Sequence, residues 1–138
     1  MYFEYGDEEI VYLKSKDKTL GEIIDKIGHI YRETDTDLFS SVVHHIIGQQ
    51  ISTKAQATIW GRMRTSLGEV NADTISDAAV EQLQSLGMTF RKAEYIKDFA
   101  DKVKNRTFDL EVVSRMSDED AIKALVSLKG IGVWTAEM

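Results

Sequence analysis

The chain has 138 residues, no proline, no cysteine and a formal net charge of −6, a composition that favours a helix-rich domain with a core of its own. The lack of cysteine excludes a disulfide framework, a thiol nucleophile and a cysteine-bound metal and fits a cytoplasmic location, and no stretch approaches the roughly 20 apolar residues of a membrane helix, so no membrane partner is expected. Residues 38–107 carry a net charge of +2 between acidic ends, which allows a modest phosphate-contacting face without requiring one.

Capping residues and apolar spacing predict a series of helices. Residues 2–13 alternate in polarity and predict a strand or an extended arm. A capping box formed by Thr19 and Glu22 then opens the first helix. The later helices are predicted to begin at Asp35, Thr36 or Asp37, to run from Ser52 to Gly68, from Ser76 to Leu86, from Thr89 to Lys104 and from Asp109 to Met116, and to begin again at Ser117. The chain is thus predicted to be an all-α orthogonal helical bundle, in which residues 1–35 form an N-terminal arm and first helix and residues 36–138 form the main domain.

The most informative segment follows the last predicted helix, where Gly130 and Gly132 stand one residue apart before a further helix begins. Two glycines allow a tight reversal whose backbone lies close to a partner surface, because no Cβ is in the way. The N–H groups at the start of the second helix, beside Lys129, favour a phosphate group. The pattern predicts a helix–hairpin–helix that contacts a nucleic-acid backbone, although an ordinary helix end with a glycine would give the same local sequence.

Two other segments carry side chains suited to nucleic acid. Gln49 and Gln50 stand at a break between helices, where side-chain amides can form hydrogen bonds with bases or fill a gap in a base stack. The simpler interpretation is that these amides form hydrogen bonds with helix-end carbonyls and with water. Arg91 and Lys92 open a helix and suit phosphate contact, but solvated basic pairs are common.

Three segments occur in one order over about residue 36 to the end: Ile47-Gly48-Gln49-Gln50-Ile51-Ser52, then Leu86-Gly87-Met88 with Arg91-Lys92-Ala93-Glu94-Tyr95, then Leu128-Lys129-Gly130-Ile131-Gly132-Val133-Trp134-Thr135-Ala136. This set resembles the helix–hairpin–helix DNA glycosylases, and within them the alkylation-repair branch typified by DNA-3-methyladenine glycosylase II. Residues 1–35 do not resemble the β-rich N-terminal domain of some members and look like a shortened version of it.

The resemblance implies base-excision repair of duplex DNA that contains alkylated purines such as 3-methyladenine. The damaged nucleotide is flipped into a pocket and its N-glycosidic bond is hydrolysed. Gln50 takes the position of the side chain that fills the vacated base stack. The other implied DNA contacts are Lys129, Gly130, Gly132 and Thr135. The backbone carbonyls of Val126, Leu128 and Ile131 are implied to hold a monovalent cation, Na⁺ or K⁺, and no other cofactor is implied.

Trp134 decides which kind of glycosylase is implied. Bifunctional relatives carry a lysine two positions after the second hairpin glycine, and its amine forms a Schiff base. An indole cannot do this, but it can stack on an alkylated purine, whose positive charge is attracted to the aromatic face. The sequence therefore favours a monofunctional glycosylase, with Met138 lining the same base pocket.

One residue that the resemblance calls for has no counterpart in the chain. The family's essential aspartate lies beyond the second hairpin helix, about 16 to 20 positions after Trp134, or roughly four to six turns of continuous helix. That carboxylate stabilises the oxocarbenium-like transition state or activates water. We therefore expect a catalytic domain that is incomplete at its C-terminus, inactive alone, and either mobile there or self-associated through the exposed face.

Two other classes of function fit parts of the sequence. A non-catalytic helix–hairpin–helix DNA-binding module needs only the hairpin, and a helical interaction domain without a nucleic-acid role suits the acidic ends. Salt-sensitive binding to duplex DNA with an abasic analogue would separate the first two functions from the third.

Overall fold

The computed structural model describes residues 1–138 and divides into two compact units, Met1–Thr36 and Asp37–Met138. Both units are helical, and the only strand-like pairing is an isolated antiparallel bridge between Tyr2 and Glu33. The prediction of an all-α chain is confirmed. No helix combines the length and the apolar character that crossing a membrane requires.

The first unit contains helices α1 (Asp7–Lys16) and α2 (Lys18–Ile27). The prediction of a strand or arm over residues 2–13 is therefore wrong beyond residue 6. Acidic residues fill the first turn of α1 and lysines its last, which is the charge order that a helix dipole favours. Helix α2 begins after Asp17, whose carboxylate accepts the Leu20 N–H, and not at the predicted box of Thr19 and Glu22.

The second unit contains eight helices: α3 (Leu38–Gly48), α4 (Thr53–Leu67), α5 (Ala72–Asp77), α6 (Val80–Ser85), α7 (Phe90–Lys104), α8 (Leu110–Val113), α9 (Asp118–Val126) and α10 (Val133–Glu137). Helix α7 packs against α3, α5 and α6 and presents Ala93, Ile96, Phe99 and Ala100 to the core. Phe99 stacks on Phe39 of α3 with ring centroids 5.0 Å apart. This packing holds α3 against α7, with the start of α3 beside the second half of α7.

Most predicted helix starts in this unit are confirmed, because the capping side chain accepts a backbone N–H of the helix's first turn. The confirmed caps are Asp37, Ser52, Thr89, Asp109 and Ser117. The single helix predicted from Ser76 to Leu86 is instead divided into α5 and α6 by extended backbone at Ala78 and Ala79. Lys97 of α7 stabilises this interruption, because its ammonium donates to the carbonyls of Ser76 at 2.5 Å and Ala78 at 2.9 Å.

Candidate nucleic-acid interface

Residues 127–132 join α9 to α10 and are called the hairpin below. Its apolar side chains Leu128 and Ile131 are buried in the core, and the Ile131 N–H donates to the Leu128 carbonyl at 3.3 Å. These two anchors hold the hairpin backbone against the core on both sides of Gly130. The hairpin is thus held by the core while the start of α10 stays at the surface.

The two hairpin glycines have different surroundings. Gly130 has a φ of +81°, and a Cβ there would lie 2.1 Å from the ring of Tyr95. Gly132 precedes α10 with a φ of −94°, and a Cβ there would meet nothing within 4 Å. Gly130 therefore serves a close approach inside the protein, whereas the backbone at Gly132 faces open space.

Gln49 and Gln50, in the loop of residues 49–52 that we call the glutamine loop, have different positions. The half-buried Gln49 side chain donates through Nε2 to the Gly130 carbonyl at 2.7 Å and to the Thr135 hydroxyl at 3.3 Å. Gln50 is exposed and has a φ of +58°, in the left-handed region of backbone conformation that residues other than glycine rarely adopt. The predicted DNA contact Thr135 thus has its hydroxyl turned to Gln49.

The Lys92 side chain stabilises the start of the glutamine loop. Its ammonium donates to the carbonyls of Ile47 at 2.8 Å and Gln49 at 2.6 Å, at the C-terminal end of α3. Burial lowers the pKa of Lys92 below its ordinary value. Two of the three ammonium donors of Lys92 are thus bonded to helix-end carbonyls, so Lys92 is not the freely solvated member of a basic pair, whereas Arg91 is exposed. Phosphate contact by this pair stays a prediction.

A cleft of about 560 Å³ lies where the glutamine loop meets the start of α7. Its lining comes from both elements and consists of Gln49, Gln50, Ile51, Thr89, Arg91, Lys92 and Tyr95. Tyr95 also contacts the hairpin at Gly130. The structure therefore brings all three segments of the sequence resemblance to one place on the second unit.

Lys129 belongs to a small cluster of charges beside the hairpin. Its ammonium lies 3.3 Å from one carboxylate oxygen of Asp98, and the ammonium of Lys102 lies 2.7 Å from the other. The hydrogen bond from Lys102, with a smaller contribution from Lys129, holds the pKa of Asp98 below its ordinary value. The cluster keeps a charge of +1 beside the hairpin.

Trp134 and Met138, the predicted base-pocket residues, are both exposed on α10 or at its end. The Trp134 side chain is 77% exposed. Met138 lines a small cleft of about 60 Å³ together with residues of α3 such as Leu38 and His45, and Trp134 is not among its lining residues. The indole is thus open to a partner, while Met138 lies against α3.

The predicted cation ligands are main-chain carbonyls near the end of α9, at Val126, Leu128 and Ile131. The Leu128 carbonyl accepts one hydrogen bond, from Ile131, and keeps a second lone pair for a cation. Neutral carbonyl oxygens suit a hard cation rather than a transition metal. No group of three or more His, Asp or Glu side chains that could hold a metal ion occurs in the structure.

The chain is similar in sequence and in fold to known proteins. The family model described as HhH-GPD superfamily base excision DNA repair protein matches residues 43–132. DNA-3-methyladenine glycosylase 1 of Schizosaccharomyces pombe is 25% identical over 136 residues, which are 93% of this chain and 59% of that protein. The crystal structure of a DNA-3-methyladenine glycosidase from Bacillus halodurans aligns with 100% of this chain and 64% of its own, at 30% identity and a TM-score of 0.81.

The structure of the Schizosaccharomyces pombe 3-methyladenine DNA glycosylase in complex with abasic DNA shares the fold, with a TM-score of 0.79 at 22% identity over 94% of this chain and 66% of that one. The chain spans between 37% and 59% of the length of the curated relatives that it matches. The family match extends from α3 to Gly132 and includes the glutamine loop, α7 and the hairpin. The chain therefore belongs to the HhH-GPD superfamily of base excision DNA repair proteins.

Proposed function

We propose that the chain is part of a monofunctional DNA glycosylase that removes alkylated purines such as 3-methyladenine from duplex DNA. The names of its relatives and the abasic DNA bound to one of them support the proposal. The observation that carries it is the meeting of the glutamine loop, the start of α7 and the hairpin at one surface. Such a surface can grip a duplex around one displaced nucleotide.

In this proposal a DNA phosphate lies against the open backbone at Gly132 and the ammonium of Lys129. The ion pair of Lys129 with Asp98 is no obstacle, since the Lys129 side chain is 67% exposed and such a pair is worth at most about 1 kcal/mol. A phosphate would therefore exchange readily for the carboxylate. A monovalent cation at the carbonyls of Val126, Leu128 and Ile131 would add positive charge at the same place.

The exposed Trp134 is proposed to stack on the extruded base. A cationic purine over an indole gains about 0.5–2 kcal/mol, depending on how far both are desolvated. The indole offers no amine, so the proposed chemistry is hydrolysis and not strand cleavage through a Schiff base. Gln50 would fill the vacated base stack.

We assign to these residues the DNA-binding and base-stacking parts of the reaction. The hydrolytic carboxylate is not assigned to any of them, because no acidic residue here matches the position that the resemblance gives to the family's aspartate. The exposed apolar side chains of Val133 and Trp134 on α10, and of Met138 after it, also support the prediction of self-association, which sedimentation would test.

The proposal is tested by binding to a duplex with a tetrahydrofuran abasic site and to the same duplex intact. We compare Gly132→Asp with Ala79→Asp, because both positions precede a helix, lie exposed in extended backbone and lack a side-chain cap. Both changes add one negative charge and one helix cap. Only Gly132→Asp places the charge where the phosphate is proposed to lie.

We expect salt-sensitive binding with a preference for the abasic duplex, a loss of about tenfold or more in Gly132→Asp, and wild-type affinity in Ala79→Asp. Equal losses in both variants would show that the hairpin does not hold the DNA. Binding without preference for the abasic duplex would favour the non-catalytic module, and no binding at low salt would contradict both functions.

A further inference from the structure

Gln49 connects two segments that are far apart in sequence. Its side-chain amide reaches across 81 residues to the Gly130 carbonyl and across 86 to the Thr135 hydroxyl. The Gly130 carbonyl can only accept, so the atom that faces it is the NH₂ group of the amide. Gln49 therefore has one hydrogen bond inside the hairpin and another to the helix that follows it.

The main chain of Gln49 is fixed from the other side. Its carbonyl accepts from Lys92 of α7, and its N–H donates to the Ile46 carbonyl at the end of α3. The next residue, Gln50, keeps a left-handed backbone that costs about 1–2 kcal/mol for a residue with a side chain. Such a conformation persists only where neighbouring contacts determine it, and the contacts of Gln49 are among them.

We propose that Gln49 is a positioning residue that couples the glutamine loop to the hairpin, so that contact of the hairpin with a phosphate and placement of Gln50 in the base stack occur as one event. The inference rests on the proposed function and adds a residue to which the resemblance assigns no role. Gln49 itself does not contact DNA. It acts by holding Gln50 at a fixed distance from the hairpin before the duplex arrives, which lowers the entropy cost of binding.

The test variant is Gln49→Met, which keeps the length and packing of the side chain but removes both donated hydrogen bonds. Gln49→Glu, of nearly the same shape, places an acceptor against the Gly130 carbonyl and is expected to have a larger effect. Gln56→Ala is the matched control, because the Gln56 amide also donates to a carbonyl of α3, that of His44 at 2.8 Å, without reaching the hairpin. Circular dichroism verifies that each variant is folded.

Two measurements are made on the 138-residue protein. The first is hydrogen exchange at the N–H groups of Ile131 and Ala136, which are bonded to the carbonyls of Leu128 and Gly132. We expect Gln49→Met to speed their exchange about tenfold and Gln56→Ala to leave it unchanged. The second is the ratio of affinities for the abasic and the intact duplex, which we expect to fall several-fold in Gln49→Met and to be kept in Gln56→Ala.

The outcomes separate this inference from the proposed function. If the wild-type protein prefers the abasic duplex and Gln49→Met keeps either that preference or the wild-type exchange at Ile131 and Ala136, the coupling is overturned and the function stands. If the wild-type protein shows no preference, both are overturned. A purely structural role for Gln49 would lower affinity for both duplexes equally and leave their ratio unchanged, which also contradicts the coupling.

Discussion

Gly130 and Gly132 illustrate how two identical residues in one hairpin can serve separate purposes. Gly130 lets the hairpin backbone approach the Tyr95 ring and takes a positive φ, while Gly132 leaves the start of α10 uncovered. The motif in the sequence shows two glycines that stand one residue apart. It does not show that one of them faces the protein, because Tyr95 lies 35 residues earlier in the chain.

Gly130→Ala is expected to destabilise the protein by about 2–4 kcal/mol. Left-handed backbone costs alanine about 1 kcal/mol relative to glycine, and the new methyl group must displace an aromatic ring from a packed position. Gly132→Ala, at a negative φ in open space, should change the free energy of unfolding by less than about 1 kcal/mol. Urea denaturation measures both, and equal effects of the two substitutions would refute the assignment of Gly130 to internal packing.

Asp98→Asn is expected to alter the dependence of stability on pH. The lowered pKa of Asp98 means that its ion pairs stabilise the folded state above the ordinary carboxyl pKa, and that this contribution is lost as the pH falls through the lowered value. The free energy of unfolding of the wild-type protein should therefore exceed that of Asp98→Asn by at most about 1 kcal/mol at neutral pH, because the partner side chains Lys102 and Lys129 are 34% and 67% exposed and solvent screens both ion pairs. The difference should shrink as the pH falls below the ordinary carboxyl pKa, in denaturation measured across pH. A difference that grew on acidification would contradict the assigned direction.

At the scale of helices, the boundaries that depend on neighbouring residues could be predicted from the sequence, whereas those that depend on distant residues could not. Ser52, Thr89 and Ser117 begin helices as predicted, because a cap bonds an N–H only two or three residues away. The break between α5 and α6 was not predictable, since it depends on Lys97 from another helix. In the same way, the two glycines were enough to predict the hairpin. The hydrogen bond from Gln49 to Gly130 could not be predicted, because the two residues are 81 positions apart and only the fold brings them together.

Lys92→Met tests whether a lysine of one helix caps another. The substitution leaves the carbonyls of Ile47 and Gln49 without their donor, and it also removes the cost of burying a charge. The lost charge-assisted bonds should prevail, so we expect a net destabilisation of about 1–3 kcal/mol. The neighbouring Arg91→Met, at an exposed position, should stay within about 0.5 kcal/mol of the wild type. Thermal or urea denaturation distinguishes them, and a Lys92→Met protein as stable as Arg91→Met would argue against the cap.

At the scale of the whole molecule, the chain divides into two units with separate sets of contacts. All buried hydrophobic side chains belong to the second unit, between Phe39 and Ile131. The first unit is held by the Tyr2–Glu33 bridge, the packing of α1 on α2 and a stack of Tyr5 on His29 at 4.3 Å. The residues of the candidate interface all lie in the second unit, so folding and DNA binding are both expected to depend on it.

A protein of residues 37–138 should therefore fold, unfold cooperatively and bind the abasic duplex. Its affinity should exceed that of the full chain, because residues 1–36 carry nine acidic and five basic side chains and their removal takes away a net charge of −4. Repulsion between like charges is screened by salt, so the gain in affinity should be several-fold at low ionic strength and small near 1 M, where the Debye length is about 3 Å. Fluorescence anisotropy over a salt series, with circular dichroism melting of both proteins, measures this. A gain that did not depend on salt would point to steric rather than electrostatic hindrance by residues 1–36, and an unfolded 37–138 chain would show that the second unit is not independent.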